Sequence, residues 1–189
     1  MKTRLFSLAL ILAAAPALAE DFSAQVAATV EKDLRGWAND PALIEAVKAA
    51  NAERGDLPQE EIDALDQTWR AEIDGAEQPM IDAILALPVS LSLRDKVDSS
   101  RGRISEIFVM DHLGLNVVQA RPTSDFWQGD EAKFQETYPK GAGAVHVSEV
   151  EFDESTQTYQ VQASFTVNDP ETGAPIGAMT VGLNAEMIE

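Results

Sequence analysis

The sequence predicts an α+β fold in which N-terminal helices pack on a five-stranded antiparallel sheet. Three observations carry this. Up to about Ser99 the apolar residues recur at threes and fours, the period of an amphipathic helix. From Ile104 onward they fall in short β-branched runs divided by turn residues. Helices gathered before the strands, not alternating with them, favour an antiparallel sheet.

Val26, Val30, Leu34 and Trp37 give the first mature helix one apolar face. Asp40-Pro41 restarts the chain, with Asp40 as N-cap and Pro41 at the first helical position, and Gly55 supplies the stop. Between them Leu43, Ile44 and Val47 share a face. Pro58 opens a third helix whose stripe is Ile62, Leu65, Trp69 and Ile73, and Pro79 and Pro88 bracket a short one around Ile81, Ile84 and Leu85. Ile104 to Met110 is an almost continuous apolar run, read as a strand covered on both faces. The Asp111-His112-Leu113-Gly114 turn joins it to Leu115 to Ala120 as a hairpin. Val145 to Phe152, Tyr159 to Val167 and Ile176 to Leu183 complete the sheet, with turns at Asp153-Glu154-Ser155 and from Asn168 through Gly173. Along the fourth strand Tyr159, Val161, Ala163, Phe165 and Val167 point one way; Gln160, Gln162, Ser164 and Thr166 point the other. The apolar face needs a cover, and the N-terminal helices are assigned to it. The polar face either meets water or lines a pocket.

Lys2, Arg4, the apolar run Leu5 to Ala15 and Ala17-Leu18-Ala19 have the grammar of a cleavable secretory leader. The run is shorter than the roughly 20 residues of a membrane span. The expected organisation is a leader over residues 1–19 and one domain over 20–189, helical through 103 and sheet from 104. The mature protein is expected in the periplasm, without membrane insertion after cleavage. With no cysteine in an exported chain, disulfides, thiolate metal sites and cysteine nucleophiles are excluded, so stability must come from a packed core. Beyond the leader 12 basic face 32 acidic residues, a charge of −20, which disfavours nucleic acid and anionic lipid as partners. No Asp-x-Asp-x-Asp-Gly loop is present, so no calcium site is expected. His112 and His146 are the only histidines and belong to no metal-binding or catalytic motif. Neither an enzyme, a metal site nor a cofactor is expected.

Ile107 to Asp111 with Gly114, the segment Ser124-Asp125-Phe126-Trp127-Gln128-Gly129-Asp130-Glu131, and Val167-Asn168-Asp169 with Gly173 and Ile176-Gly177 together resemble the Cache family of PAS-like extracytoplasmic sensor domains. Trp37 to Pro41 is similar to the N-terminal helices of such sensors. The resemblance covers about Ile104 to Leu183. It implies a long N-terminal helix on one face of the sheet and a small-molecule site on the other, beneath the segment joining the second and third strands. Family members usually lie between two membrane helices, whereas this sequence reaches Glu189 directly after its last strand. The expectation is therefore a stand-alone periplasmic binding module for a small polar metabolite such as an amino acid, amine or carboxylate. The alternative is an interaction module acting on a membrane receptor or another periplasmic protein, its pocket filled by its own side chains.

Trp127, flanked by Asp125 and Asp130, suits a cationic or zwitterionic ligand, or else serves as a hydrophobic plug. Arg121 and Lys133 either hold a carboxylate or are surface charges. Asp169 either caps its turn or meets ligand. Gln162 and Ser164 share the strand face expected under the 124–131 segment.

Overall fold

The computed structural model describes residues 23–153 and 158–188. The leader and the expected turn over 154–155 lie outside the described residues. Helix α1, residues 23–38, contains one π-helical turn at Val30–Leu34. It is followed by α2 (Pro41–Arg54), α3 (Gln59–Ile73), α4 (Pro79–Leu85) and α5 (Pro88–Ser99). Asp40 accepts from the Ala42 N–H at 2.9 Å, and Gly55 ends α2 at φ 51°, where a side chain would be strained. The α4 start is capped by a residue with no sequence signature. Glu72, buried at the end of α3, accepts from the N–H groups of Met80 (2.9 Å) and Ile81 (3.0 Å). The helix α5 falls within the helical region but was not separable from it by periodicity.

The sheet contains β1 (Ile104–Met110), β2 (Asn116–Gln119), β3 (Val145–Val147), β4 (Glu151–Asp153), β5 (Thr158–Asn168) and β6 (Pro175–Asn184). All pairings are antiparallel. The order is β2-β1-β6-β5-β3, with β4 beside β3 on the same edge of β5. The fifth strand position is thus filled by two short strands where the sequence suggested one. Ser148 explains the break: its N–H donates to Gln162 O, and its hydroxyl, in place of a backbone carbonyl, accepts from Gln162 N–H at 2.9 Å.

The helices cover one face, as the β5 alternation requires. Val161, Ala163, Phe165 and Val167 join Val109, Met179 and Val181 in a core shared with Val26, Val30, Leu34, Leu43, Val47, Leu93 and Val97. A second cluster of Ile62, Trp69, Ile81, Leu115 and Phe126 extends this core around the β2 edge. The hairpin is clamped to α2. His112 ring nitrogens lie 2.8 Å from Asn51 Oδ1 and 2.9 Å from Gly55 O, while Arg54 donates to the fully buried Asp111.

Candidate functional site

Opposed residues of an antiparallel pair share a face, so the register assigns the second face directly. One row across it reads Gln119, Phe108, Thr180, Ser164, His146; the next reads Glu106, Gly182, Gln162. Ser164 and Thr180 exchange a hydroxyl hydrogen bond at 2.9 Å. Glu106 accepts from Gln162 at 2.8 Å by lying across Gly182, whose added Cβ would come within 2.7 Å of Glu106 Cγ. Burial pushes the His146 imidazole down, against the pull of Glu136.

The cover over this face comes from one segment further along than the sequence suggested. Helix α6 (Ala132–Gln135) and the 3-10 turn Tyr138–Lys140 bring Phe134 and Tyr138 onto Phe108, Met110 and Ala178, and Thr166 donates to Gly141 O at 2.9 Å. Burial, and then the Asp111 carboxylate, push the Tyr138 phenol up.

The 124–131 segment is instead laced along the β2 edge. Asn116 N–H donates to Phe126 O at 3.0 Å and Gln128 N–H to Gly114 O at 2.8 Å. Gly114, at φ 82°, meets Gly129 so closely that a Cβ would stand 2.6 Å from its Cα. From α3, Asp66 Oδ1 accepts from the N–H groups of Phe126 (2.8 Å) and Trp127 (3.1 Å), and its Oδ2 takes Arg70 at 2.6 Å.

Burial raises the Asp66 carboxyl, but the bonds from Arg70, Trp127 and Phe126 outweigh it and hold the group below its usual range. The folded state therefore binds its proton less readily than the unfolded chain. The stabilisation is present above the ordinary carboxylate range and is lost as pH falls through the folded value. Below about pH 4 the amides of Phe126 and Trp127 should accordingly lose protection from hydrogen exchange. At neutral pH Asp66→Ala should cost about 2 kcal/mol, the loss of charge-assisted bonds to the segment, while Asp66→Asn should remove the pH dependence.

Beneath this edge runs a continuous polar network. Asn116 Nδ2 donates to Thr123 Oγ1 (2.8 Å) and Asp125 O (3.2 Å). Gln128 Nε2 donates to Asp125 Oδ1 (2.6 Å), and Gln128 Oε1 accepts from Lys133 Nζ (3.1 Å). Lys133, its side chain 13% exposed, also pairs with Glu131 at 3.0 Å and sits 5.5 Å from the Phe108 ring centroid. Two buried atoms of the network have no hydrogen-bond partner among the described residues, the acceptor Asn116 Oδ1 and the donor Gln119 Nε2. Buried polar groups are almost always satisfied, and an orphan costs about 1 to 3 kcal/mol. A donor, an acceptor and an ammonium group thus belong to one hydrogen-bonded chain along β2 and the 123–133 segment.

Of the residues the sequence singled out, the structure brings Asp125 and Lys133 into this network and puts Gln162 and Ser164 on the same sheet face. Trp127 turns toward the hairpin, donating from Nε1 to Leu113 O at 3.0 Å and packing with the Trp69 cluster. Asp130 is exposed, its charge felt by Arg70. Arg121 pairs with Asp98 at 2.9 Å on the surface, and Asp169 sits in the β5–β6 turn, paired with Lys48 at 2.9 Å and accepting from Glu171 N–H. Asn116, Gln119 and Gln128 were missed. The signal for Asn116 and Gln119 is an amide at each end of the otherwise apolar Asn116–Gln119 strand, and Gln128 lies within the 124–131 segment.

No protein-family model matches the sequence, and no curated protein matches it. Solved structures do. The ligand-binding domain of the Campylobacter jejuni chemoreceptor Tlp3, in complex with 4-methylisoleucine, matches over 91% of this chain and 59% of its own, at 15% identity and a TM-score of 0.40. The V. cholerae histidine kinase DctB sensor domain matches over 91% and 55%, at 12% identity and a TM-score of 0.44. The ligand-binding domain of the Pseudomonas fluorescens chemoreceptor CtaA, in complex with L-serine, matches over 89% and 56%, at 11% identity and a TM-score of 0.40. All three are ligand-binding or sensor domains, of two chemoreceptors and a histidine kinase. The chain spans less than two thirds of the length of each, so the site rests on this protein's own side chains. No described helix is long and apolar enough to cross a membrane.

Proposed function

We propose that this chain is an exported sensor-type domain, leader over residues 1–19 and one domain over 20–189, that binds a small polar metabolite in the periplasm. The observation that carries the proposal is the buried pair of unsatisfied groups, Gln119 Nε2 and Asn116 Oδ1, in a network that ends on Lys133. An amino acid carries the complementary groups, an ammonium to donate to Asn116 Oδ1 and a carboxylate to accept from Gln119 Nε2 and Lys133 Nζ. Amines and carboxylates satisfy part of the set. Asp125 orients Gln128, and Gln162 and Ser164 lie further along the same face.

A thermal-shift screen of amino acids, amines and organic acids tests this. A ligand selective for the folded state at 100 times its Kd stabilises by about 2.7 kcal/mol, so at least one compound should give a saturable rise. Gln119→Leu is the deciding variant. It removes a buried donor with no partner among the described residues and an acceptor whose bond from Thr123 Oγ1 is long at 3.4 Å, Thr123 keeping its shorter bond to Asp125 O at 2.7 Å, so the unliganded melting temperature should hold or rise while ligand stabilisation disappears. A marked fall in unliganded stability would make Gln119 structural. No hit in any compound class would favour the interaction module, in which the Phe134 and Tyr138 rings, stacked at 5.4 Å, fill the pocket themselves.

A further inference from the structure

We propose that the groove between α2, α3 and α4 is a second binding site, taking a small organic cation with an apolar body. The groove is open to solvent and offers about 580 Å³, within the size range of small-molecule sites. Its walls are Leu57, Leu65, Met80 and Phe126, and Glu53 and Glu61 stand on its rim. The sequence builds it simply. On α3 Glu61 and Leu65 are four residues apart and so share a face, while Gly55 ends α2 and lets the chain turn, leaving Leu57 half-buried between the two helices.

The charge of the groove decides the class of ligand. Arg54 is the only cation in the lining, and Asp111 already pairs with it at 2.6 Å. Glu53 and Glu61, both exposed, make no side-chain hydrogen bond or ion pair among the described residues. The net field at the mouth is negative, on a chain of formal charge −18. An anion is repelled there, and a neutral apolar molecule leaves both carboxylates unused. A cation carried on an aryl or alkyl body buries that body against Leu57, Leu65 and the Met80 thioether, with its charge toward the two carboxylates. The Phe126 ring, buried with Trp69 stacked on it at 5.3 Å and the Arg54 guanidinium 5.2 Å from its centroid, backs the groove from behind. The lining shares no side chain with the Asn116-to-Lys133 network and meets it only at the Asn116 backbone, whose carbonyl accepts from Arg54 and whose N–H donates to Phe126 O.

Benzyltrimethylammonium is the probe, read by NMR on the wild-type protein carrying isotope-labelled methionine methyl groups. Met80 lines the groove, whereas Met179 lies in the core under the helices, so the Met80 resonance should move saturably and that of Met179 should not. In Glu53→Gln, Glu61→Gln the affinity should fall about tenfold, the combined effect of two solvent-facing ionic contacts. Both changes are on the surface and leave the fold intact. Phenylacetate, of similar size and opposite charge, should give no saturable shift. The proposal is overturned if benzyl alcohol or phenylacetate binds as tightly as the cation. It is also overturned if the double variant binds the cation unchanged, or if Met80 does not respond at millimolar probe.

Discussion

Arg54→Ala should lower the stability of the protein by roughly 3 to 5 kcal/mol, the cost of leaving a buried charge without its partner. Asp111 is fully buried; one carboxylate oxygen accepts from the N–H groups of Leu113 (2.8 Å) and Leu115 (3.0 Å), the other from Arg54. The first oxygen shapes the hairpin turn, and the second fixes that turn to the end of α2. Arg54 also donates to Asn116 O at 3.1 Å, so its loss frees a β2 carbonyl at the edge of the proposed site. Urea denaturation would measure the effect. Pairing Arg54→Met with Asp111→Asn removes both charges, keeps an acceptor for the turn, and should recover about 1 to 2 kcal/mol relative to Arg54→Ala. A loss below about 1 kcal/mol for the single change would show the pair to be solvated and dispensable.

What could be read from the sequence was whatever depends on near neighbours. The Asp40 cap, the Gly55 stop and the β5 alternation each need only a few adjacent residues, and each stands in the structure. Contacts between distant segments left no such trace. Asp66 reads as one more acid on a solvated helix, yet it holds the backbone of residues 60 and 61 positions away. Asn116 and Gln119 become a site only because Thr123, Asp125 and the Ser90 hydroxyl are brought around them. The 124–131 segment was expected as a lid over the polar sheet face, and its actual position along the β2 edge follows from Asp66, Gly114 and Trp69. None of these is adjacent in sequence. Phe134 and Tyr138 carried no signal as a cover, since two aromatics in a polar stretch fit a surface turn equally well.

Trp69→Ala should be as damaging as the loss of Arg54, and for a different reason. Trp69 is among the largest fully buried side chains, and its truncation creates a cavity, for which aromatic-to-alanine changes cost roughly 3 to 5 kcal/mol. Its ring is stacked on Phe126, and its Nε1 donates to Thr123 O at 2.8 Å, so it anchors at two points the stretch that bonds to Asn116 and Gln119. Stability and local order should therefore fall together, with amide exchange accelerating first over residues 123–128. Trp69→Phe separates the two contributions. It keeps an aromatic ring against Phe126 but leaves Thr123 O without its donor, and should cost about 1 to 3 kcal/mol, including that unsatisfied carbonyl. Trp127→Ala provides the contrast, because Trp127 is half-buried and its Nε1 bond runs to the hairpin at Leu113. It should destabilise less than Trp69→Ala in the absence of ligand. If it also abolishes the stabilisation by a screening hit, Trp127 touches ligand; if ligand stabilisation persists on the weakened background, it is a plug for the hairpin. Should Trp127→Ala prove the more destabilising of the two in free protein, the segment is anchored through the hairpin and not through α3, and the role assigned to Trp69 fails.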